Sequence, residues 1–409
     1  MGNNGLPLQM QYLGSKARIA KWIINEGKKA FPDCNQFFDV FSGTGTVAFE
    51  ALDQGYKVSA NDFEGYSFCI IKSLLSLPRS GLDQLITELS NLHNETLLLN
   101  KDRLFMKELF EEEKEYFKSN AKHNLSWESY REFCEKTPII DGTRDDIDKL
   151  RTEGKWNLFS CYYANTYFGI RQCLQLDTIR ELAEKQDEVS KTHLQAATIA
   201  AMTYGVSSTT HLAQYLRPTS KPRAVHLIER RQFDFIDEVQ HRLLQMRNIP
   251  LSTFGTHVYK LDYISALKQE NPNSEWIVYA DPPYFKEHYS RYYHVLNTFY
   301  LYDFPYLTFN PITKKVTEGR YRLERNTSDF GKRGTVVKAF TKLFSSCKEK
   351  RFKLMLSYAE TSLVKKNIII ELSEEAGLKT TIQETELMHS SQGKYANKTV
   401  QEYLFCFEP

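Results

Sequence analysis

Ile19, Trp22 and Ile23 recur at helical spacing and predict an amphipathic helix over residues 16–31. The short apolar run FFDVF (37–41) predicts a buried strand, and SGTGTVAFEALDQG after it turns into a helix ending at Gly55. KVSAND (57–62) predicts a second strand, and Tyr66 to Leu77 a second helix. Strand and helix alternate as in an open parallel sheet. From Pro78 the pattern changes, and residues 79–250 carry long polar helical patterns with few buried strands. Strand signals return in THVYKL (256–261), WIVYA (276–280), FKLMLSY (352–358) and VQEYLFCF (400–407). The expected fold class is α/β: one sheet interrupted by a largely helical insertion. Residues 1–78 form the first part of the sheet domain, 79–250 the insertion and 251–409 the second part.

Composition narrows the class. A chain of 409 residues suggests about two to three domains, or one large domain with an insertion. With 41% hydrophobic and 25% charged residues it reads as a soluble globular protein. The net charge of +2 means that affinity for a polyanion has to come from local patches. Neither an N-terminal signal pattern nor an apolar run of about 18 residues occurs, which argues against secretion and membrane spanning. Seven scattered cysteines without a CxxC pair argue against zinc or a disulfide framework, and for a reducing cytoplasm. No metal is expected.

In FSGTGTVA, Gly43 and Gly45 let the backbone approach a ligand, and the helix behind them offers free N–H groups. Asp62 ends the next strand, where a carboxylate can accept from both hydroxyls of a ribose. Such a loop fits a dinucleotide, an S-adenosylmethionine site or a tight structural turn.

WIVYADPPYFKEHY (276–289) is more specific. Asp-Pro-Pro-Tyr arises by chance in such a chain with a probability on the order of one in a thousand. It stands at the carboxyl end of a strand, where open α/β sheets bind ligands. Prolines donate no N–H and fix the chain, so a backbone carbonyl of the turn is held rigidly beside Asp281. Carboxylate and carbonyl together can accept both hydrogens of an exocyclic amine, and Tyr284 can stack on the base that carries it. Nucleobase amines are poor nucleophiles because their lone pair is delocalised; two acceptors free it. The bland alternative is an Asp-Pro turn that caps a strand.

With these motifs the sequence resembles the DNA adenine N6-methyltransferases, in the group that runs an N-terminal motif, a glycine loop, a recognition insertion and then DPPY. QYLGSKARIAKWI (11–23) supplies the opening motif. The resemblance implies a Rossmann-like sheet, S-adenosyl-L-methionine as cofactor and double-stranded DNA as partner, and leaves room for a cognate restriction endonuclease. It implies cofactor contacts at Tyr12, Lys16, Asp39, Phe41, Gly43, Gly45, Asp62 and Asp281, and a weaker one at Asp262. The catalytic tetrad falls on Asp281, Pro282, Pro283 and Tyr284. YYANTYFGIRQCLQLDTIREL (162–182) also resembles the family's insertion, without roles for its residues. A monomer in the cytoplasm is expected. The cofactor is a sulfonium cation, which suits a site lined by Asp39, Asp62 and Asp281. A duplex hides the adenine amine, so the base has to be flipped out at a few kcal/mol.

Two basic stretches are candidate DNA contacts. HLAQYLRPTSKPRAVH (211–226), read as a loop, carries Arg217, Lys221 and Arg223. KKVTEGRYRLERNTSDFGKRG (314–334) carries Arg320 and Arg322 beside Tyr321. Either can instead be a solvated loop. Methylation of RNA adenine or of cytosine N4 asks for the same acceptors, although serine usually replaces Asp281 in the cytosine enzymes. An NAD-dependent oxidoreductase would share the glycine loop but leaves DPPY and Lys16 without a role, and a silent DNA-binding regulator has no use for Asp281.

Overall fold

The computed structural model describes residues 6–11, 14–136, 142–208, 212–249, 256–273, 275–283, 289–360, 362–388 and 399–409. The chain divides into two compact units. One comprises residues 14–77, 251–290 and 326–409, and the other 1–13, 78–250 and 291–325.

The first unit is a mixed α/β structure built on a seven-stranded sheet. Its strands are β1 (Gln36–Asp39), β2 (Lys57–Asn61), β3 (His257–Tyr259), β4 (Trp276–Ala280), β5 (Lys353–Ala359), β6 (Lys379–Met388) and β7 (Thr399–Glu408). Their order is β3-β2-β1-β4-β5-β7-β6. Strands β1 to β5 pair in parallel, and β7 runs antiparallel to both β5 and β6. Helices α1 (Ala20–Ala30), α2 (Thr46–Asp53) and α3 (Gly65–Leu75) accompany the first half. Alternation along β1 sets the two faces. Phe37 stacks on Tyr279, whereas Phe38 meets Trp276 on the other side. That second face carries an apolar core, where Phe38, Val278 and Leu354 pack with Ala339, Phe340 and Leu343 of helix Val336–Lys350. On the first face Gly27 of α1 lies so close to β5 that an added Cβ would stand 2.7 Å from the Met355 sulfur.

The expected strands are present within one or two residues. β6 was absent from the hydrophobic pattern: KTTIQETELM is a polar edge strand with little apolar content.

The second unit is largely helical. Its centre is a pair of helices, Ile170–Glu184 and Glu188–Gly205, buried on most sides. Residues 162–182 therefore form scaffold. Glu113 accepts from the N–H groups of Ile170 and Arg171, both at 2.8 Å, and so caps the first central helix. Asp177 accepts from Phe159 N and Ser160 N at 2.8 Å and from the Tyr302 hydroxyl at 2.6 Å. Residues 291–325, expected with the second part of the sheet domain, pack in this helical unit instead. They contribute helix His294–Leu301 and an antiparallel hairpin bridged at Leu307–Arg322 and Phe309–Val316. The expected loop at 211–226 is shorter than its composition suggested, because Lys221–Arg231 is a helix with Pro222 in its first turn. Proline is tolerated there, since the first-turn N–H groups have no partner to lose. No described helix is long and apolar enough to cross a membrane.

Candidate functional site

The strand order reverses beside β1, with β2 on one side and β4 on the other. The carboxyl ends of β1 and β4 therefore flank the crevice in which open α/β sheets hold ligands. Asp39 ends β1 in register with Tyr279, and Asp281 follows β4 directly. Both fall on the same face by alternation, so the register alone sets two carboxylates at one crevice.

Asp281 keeps its two oxygens in different states. Oδ2 lies 3.0 Å from the Lys16 ammonium, while Oδ1 has no hydrogen-bond partner among the described residues. The same ammonium lies 3.1 Å from Oε1 of Glu402, a carboxylate only 1% exposed on β7. One buried cation thus faces two acids. Burial pushes the Asp281 carboxyl up to about 6; Lys16 opposes the shift and Glu402 adds to it. Asp39 is buried as well, and its Oδ1 is also unpartnered among the described residues. Burial, and next the charge of Asp281, holds it well above the ordinary carboxylate range.

The glycine loop is braced from two sides. Gly43 (φ 52°) donates its N–H to Asp62 Oδ2 at 2.8 Å, and Glu64 N–H donates to Oδ1 at 2.8 Å. Asp62 therefore ties the loop to the end of β2, a role that the ribose expectation did not include. Burial raises its carboxyl to about 7 despite these two bonds. Gly45 serves packing more than ligand approach. Its φ is 75°, and an added Cβ would stand 2.9 Å from the Ile71 side chain on α3. Gly45→Ala is expected to lower stability by about 1–3 kcal/mol, from left-handed backbone strain plus overpacking. Urea denaturation of the variant checks this, and an unchanged midpoint would contradict it.

Asn61, which sequence patterns did not single out, stitches three strand ends together. Its Nδ2 donates to Val40 O and Leu261 O at 3.1 Å, and its Oδ1 accepts from Leu261 N at 3.0 Å. Asp262 follows as the cap of helix Tyr263–Leu267, its Oδ1 accepting from Ile264 N at 3.1 Å and Ser265 N at 3.0 Å. Phe41 is half-buried between Tyr263 and Phe330, with ring centroids 5.6 and 5.4 Å away. Lys16, Asp39, Asp62 and Asp281, expected from sequence, thus belong to one unit and line its strand ends, with Pro282 and Pro283 following Asp281. Tyr12 and Tyr284 lie outside the described residues.

The expected DNA contacts divide. Arg217, Lys221 and Arg223 are exposed; Arg217 also pairs with Glu318 at 3.1 Å, and Arg223 donates to Thr219 Oγ1 at 2.9 Å. Arg320 and Arg322 are corrected to internal framework. Arg320 is 4% exposed and donates to the Tyr162 carbonyl. Arg322 is 7% exposed, and both arms of its guanidinium bind Asp303 at 2.7 Å. A fork occupied in that way has no face left for a phosphate.

Residues 12–361 match the family described as D12 class N6 adenine-specific DNA methyltransferase. The chain is 23% identical to the Type II methyltransferase M.CviAII of Paramecium bursaria Chlorella virus 1, over 96% of this chain and 97% of that protein. It is 24% identical to the Type II methyltransferase M.NlaIII of Neisseria lactamica, over 98% of this chain and 99% of the relative. It is also 23% identical to M.FokI of Planomicrobium okeanokoites, over 98% of this chain and 52% of that longer protein.

Proposed function

The chain belongs to the D12 class of N6 adenine-specific DNA methyltransferases, and from that premise we propose that it is a site-specific enzyme that uses S-adenosyl-L-methionine. Its substrate is an adenine flipped out of double-stranded DNA, and its setting a restriction-modification system with a cognate endonuclease, in keeping with the Type II names of its relatives. It acts as a monomer in the cytoplasm. The α/β unit is a Rossmann-like catalytic domain, and the helical unit reads the target.

The observation that carries the catalytic part is the divided state of Asp281, with Oδ2 on Lys16 and Oδ1 unpartnered among the described residues. A side chain with one oxygen pinned and the other buried without a partner among the described residues is set to accept from an incoming amine. Such an acceptor favours the tetrahedral nitrogen and releases its lone pair. The residues also fit the cofactor. Asp39 Oδ1 is a buried acceptor without a partner among the described residues, and the acids Asp281 and Glu402 face one cation, Lys16. A negative, partly desolvated site of this kind stabilises a sulfonium. When bound, S-adenosyl-L-methionine supplies an electrophilic methyl group. Asp62 orders the glycine loop against it and keeps acceptor capacity for a ribose, because a carboxylate has about four acceptor sites. Phe41 with Tyr263 offers an aromatic wall for an adenine ring.

The test is incubation with labelled cofactor and duplex DNA, followed by mass spectrometry of the nucleosides. N6-methyladenine in DNA is expected; label in cytosine, or only in RNA, would overturn the proposal.

Cofactor affinity should also depend on pH. Burial raises the Asp281 carboxyl to about 6 and that of Asp62 to about 7. A cation binds better to the ionised forms, so affinity should be level above about pH 8. Below these values it should fall by up to about tenfold per pH unit for each group, with proton release on binding. The sign reverses for the ligand-free protein. Carboxyls raised on folding favour the protonated folded state, so their contribution to stability grows as pH falls from about 7 towards the unfolded value near 4. Calorimetry in buffers of different ionisation enthalpy reads both quantities; pH-independent affinity would exclude these two groups from the cofactor site.

A further inference from the structure

With Arg320 and Arg322 buried in the framework, neither arginine of the hairpin is free to serve as the expected phosphate contact. Two other arginines of the same unit share one ring there. The Arg291 guanidinium lies 5.2 Å from the Tyr321 ring centroid, and that of Arg325 lies 5.4 Å from it. Arg291 stands on the short helix Tyr289–Tyr292, and Arg325 just past the hairpin.

The ring is held firmly. Its hydroxyl donates to Ala213 O at 2.7 Å, and the His294 ring meets its edge at 5.0 Å. Gly319 is the space into which it fits, since an added Cβ there would stand 2.3 Å from the ring carbon Cζ. The Gly319 carbonyl is in turn held by the Tyr167 hydroxyl at 2.9 Å. Tyr321 is therefore a fixed platform rather than a mobile surface side chain.

Two guanidinium groups on one platform repel each other. Burial, and next the charge of Arg291, lowers the Arg325 pKa. Among the described residues no carboxylate pairs with Arg325, although Glu324 precedes it, and nearby Glu318 is taken by Arg217. A planar fork stacked on an aromatic ring is a geometry in which arginine binds phosphate. Lys314 and Lys315, exposed at the hairpin tip, give the same surface a positive margin.

We propose that Arg291 and Arg325, stacked on Tyr321, form a clamp for a phosphodiester of the DNA backbone. This rests on the DNA-methylation reading above and names a contact that the basic stretches in the sequence did not isolate. A backbone contact adds affinity without selecting bases, so cognate and non-cognate duplexes depend on it alike.

The experiment measures duplex affinity against salt concentration for the wild-type protein, Arg325→Gln, Arg291→Gln and the double variant. Each arginine that neutralises a phosphate should contribute about one unit to the slope of log affinity against log salt. The expected result is a slope lower by about one in each single variant and about two in the double. Affinity should fall for both duplexes, with cofactor affinity and the single-turnover rate at saturating DNA within about twofold of wild type. Arg325 is exposed, so Arg325→Gln should keep the wild-type melting temperature; Tyr321→Phe, which keeps the ring, serves as the milder second variant and should keep the wild-type slope. Wild-type slopes in Arg325→Gln and the double variant would overturn the clamp. Failure of the wild-type protein itself to bind or methylate DNA would instead overturn the reading on which the clamp rests.

Discussion

Asp281→Ala is expected to lower the single-turnover methylation rate by about 10²–10³-fold, the usual cost of removing one preorganised electrostatic group from a transition state. The size of the effect follows from the division of labour between its oxygens. Oδ2 is committed to Lys16, so on the proposed mechanism Oδ1, unpartnered among the described residues, is the atom that receives the amine. In the free base the amine is planar and gains little from this acceptor; as its nitrogen becomes tetrahedral the gain grows. The loss should therefore appear in the rate at saturating DNA and cofactor rather than in DNA affinity. The fold should survive, because Lys16 keeps Glu402 as a partner at 3.1 Å. Asp281→Asn separates charge from shape: it keeps an oxygen acceptor but loses the negative charge, and should fall between wild type and alanine. Rapid-quench assays with labelled cofactor measure all three. A rate for Asp281→Ala above about a tenth of wild type would remove this carboxylate from the mechanism.

Lys16→Ala should do comparable damage by a different route. Asp281 and Glu402 lie 3.0 and 3.1 Å from the same ammonium, so removing it leaves two buried acids facing each other. Stripping one partner from a buried charge group costs about 3–5 kcal/mol if the remaining charges persist. Protonation of one acid is the easier response. Burial already holds Asp281 up near about 6, so it takes the proton. At pH 7 most molecules would then lack the charged acceptor, and the rate should fall by about a hundredfold, within the range for loss of such a group. The acidic limb of the pH–rate profile should move upward by a unit or more. Glu402→Gln should move it the other way, since Glu402 raises Asp281. Combining Lys16→Ala with Glu402→Gln should recover part of the lost rate, and this non-additivity is the sign of direct coupling. A wild-type pH profile in Lys16→Ala would show that the lysine does not set the state of Asp281.

What local sequence revealed, and what it hid, divides by range. The glycine loop and the Asp-Pro-Pro turn were legible because their chemistry is contiguous and each stands at the end of an apolar run. Glu402 was not, because its partner lies at the other end of the chain and reaches it through a strand order that skips from β5 to β7. The signal that could have flagged it is an acid inside VQEYLFCF, since glutamate is rarely buried without a partner. Asn61 went unnoticed for the same reason: it bonds Val40 and Leu261, and only the sheet makes those neighbours. Arg320 and Arg322 looked like a solvent-facing basic run because charge patterns do not report burial, and Asp303, the acid that neutralises Arg322, stands on the far side of the hairpin. β6 escaped because an edge strand needs only one apolar face.

Strands β2 and β3 are neighbours, with Asn61 in register with Tyr259, yet the helical segment 78–250 separates them in the chain. In a simple parallel sheet that connection is a single helix. In polymer terms the sheet sees the whole segment as one closed loop, and each doubling of a flexible loop costs only about 0.6 kcal/mol in closure entropy. A segment folded with its ends held together costs less still. The sheet is therefore nearly indifferent to the length of what is threaded between β2 and β3, and the helical segment can be enlarged or exchanged with little change in the free energy of the sheet.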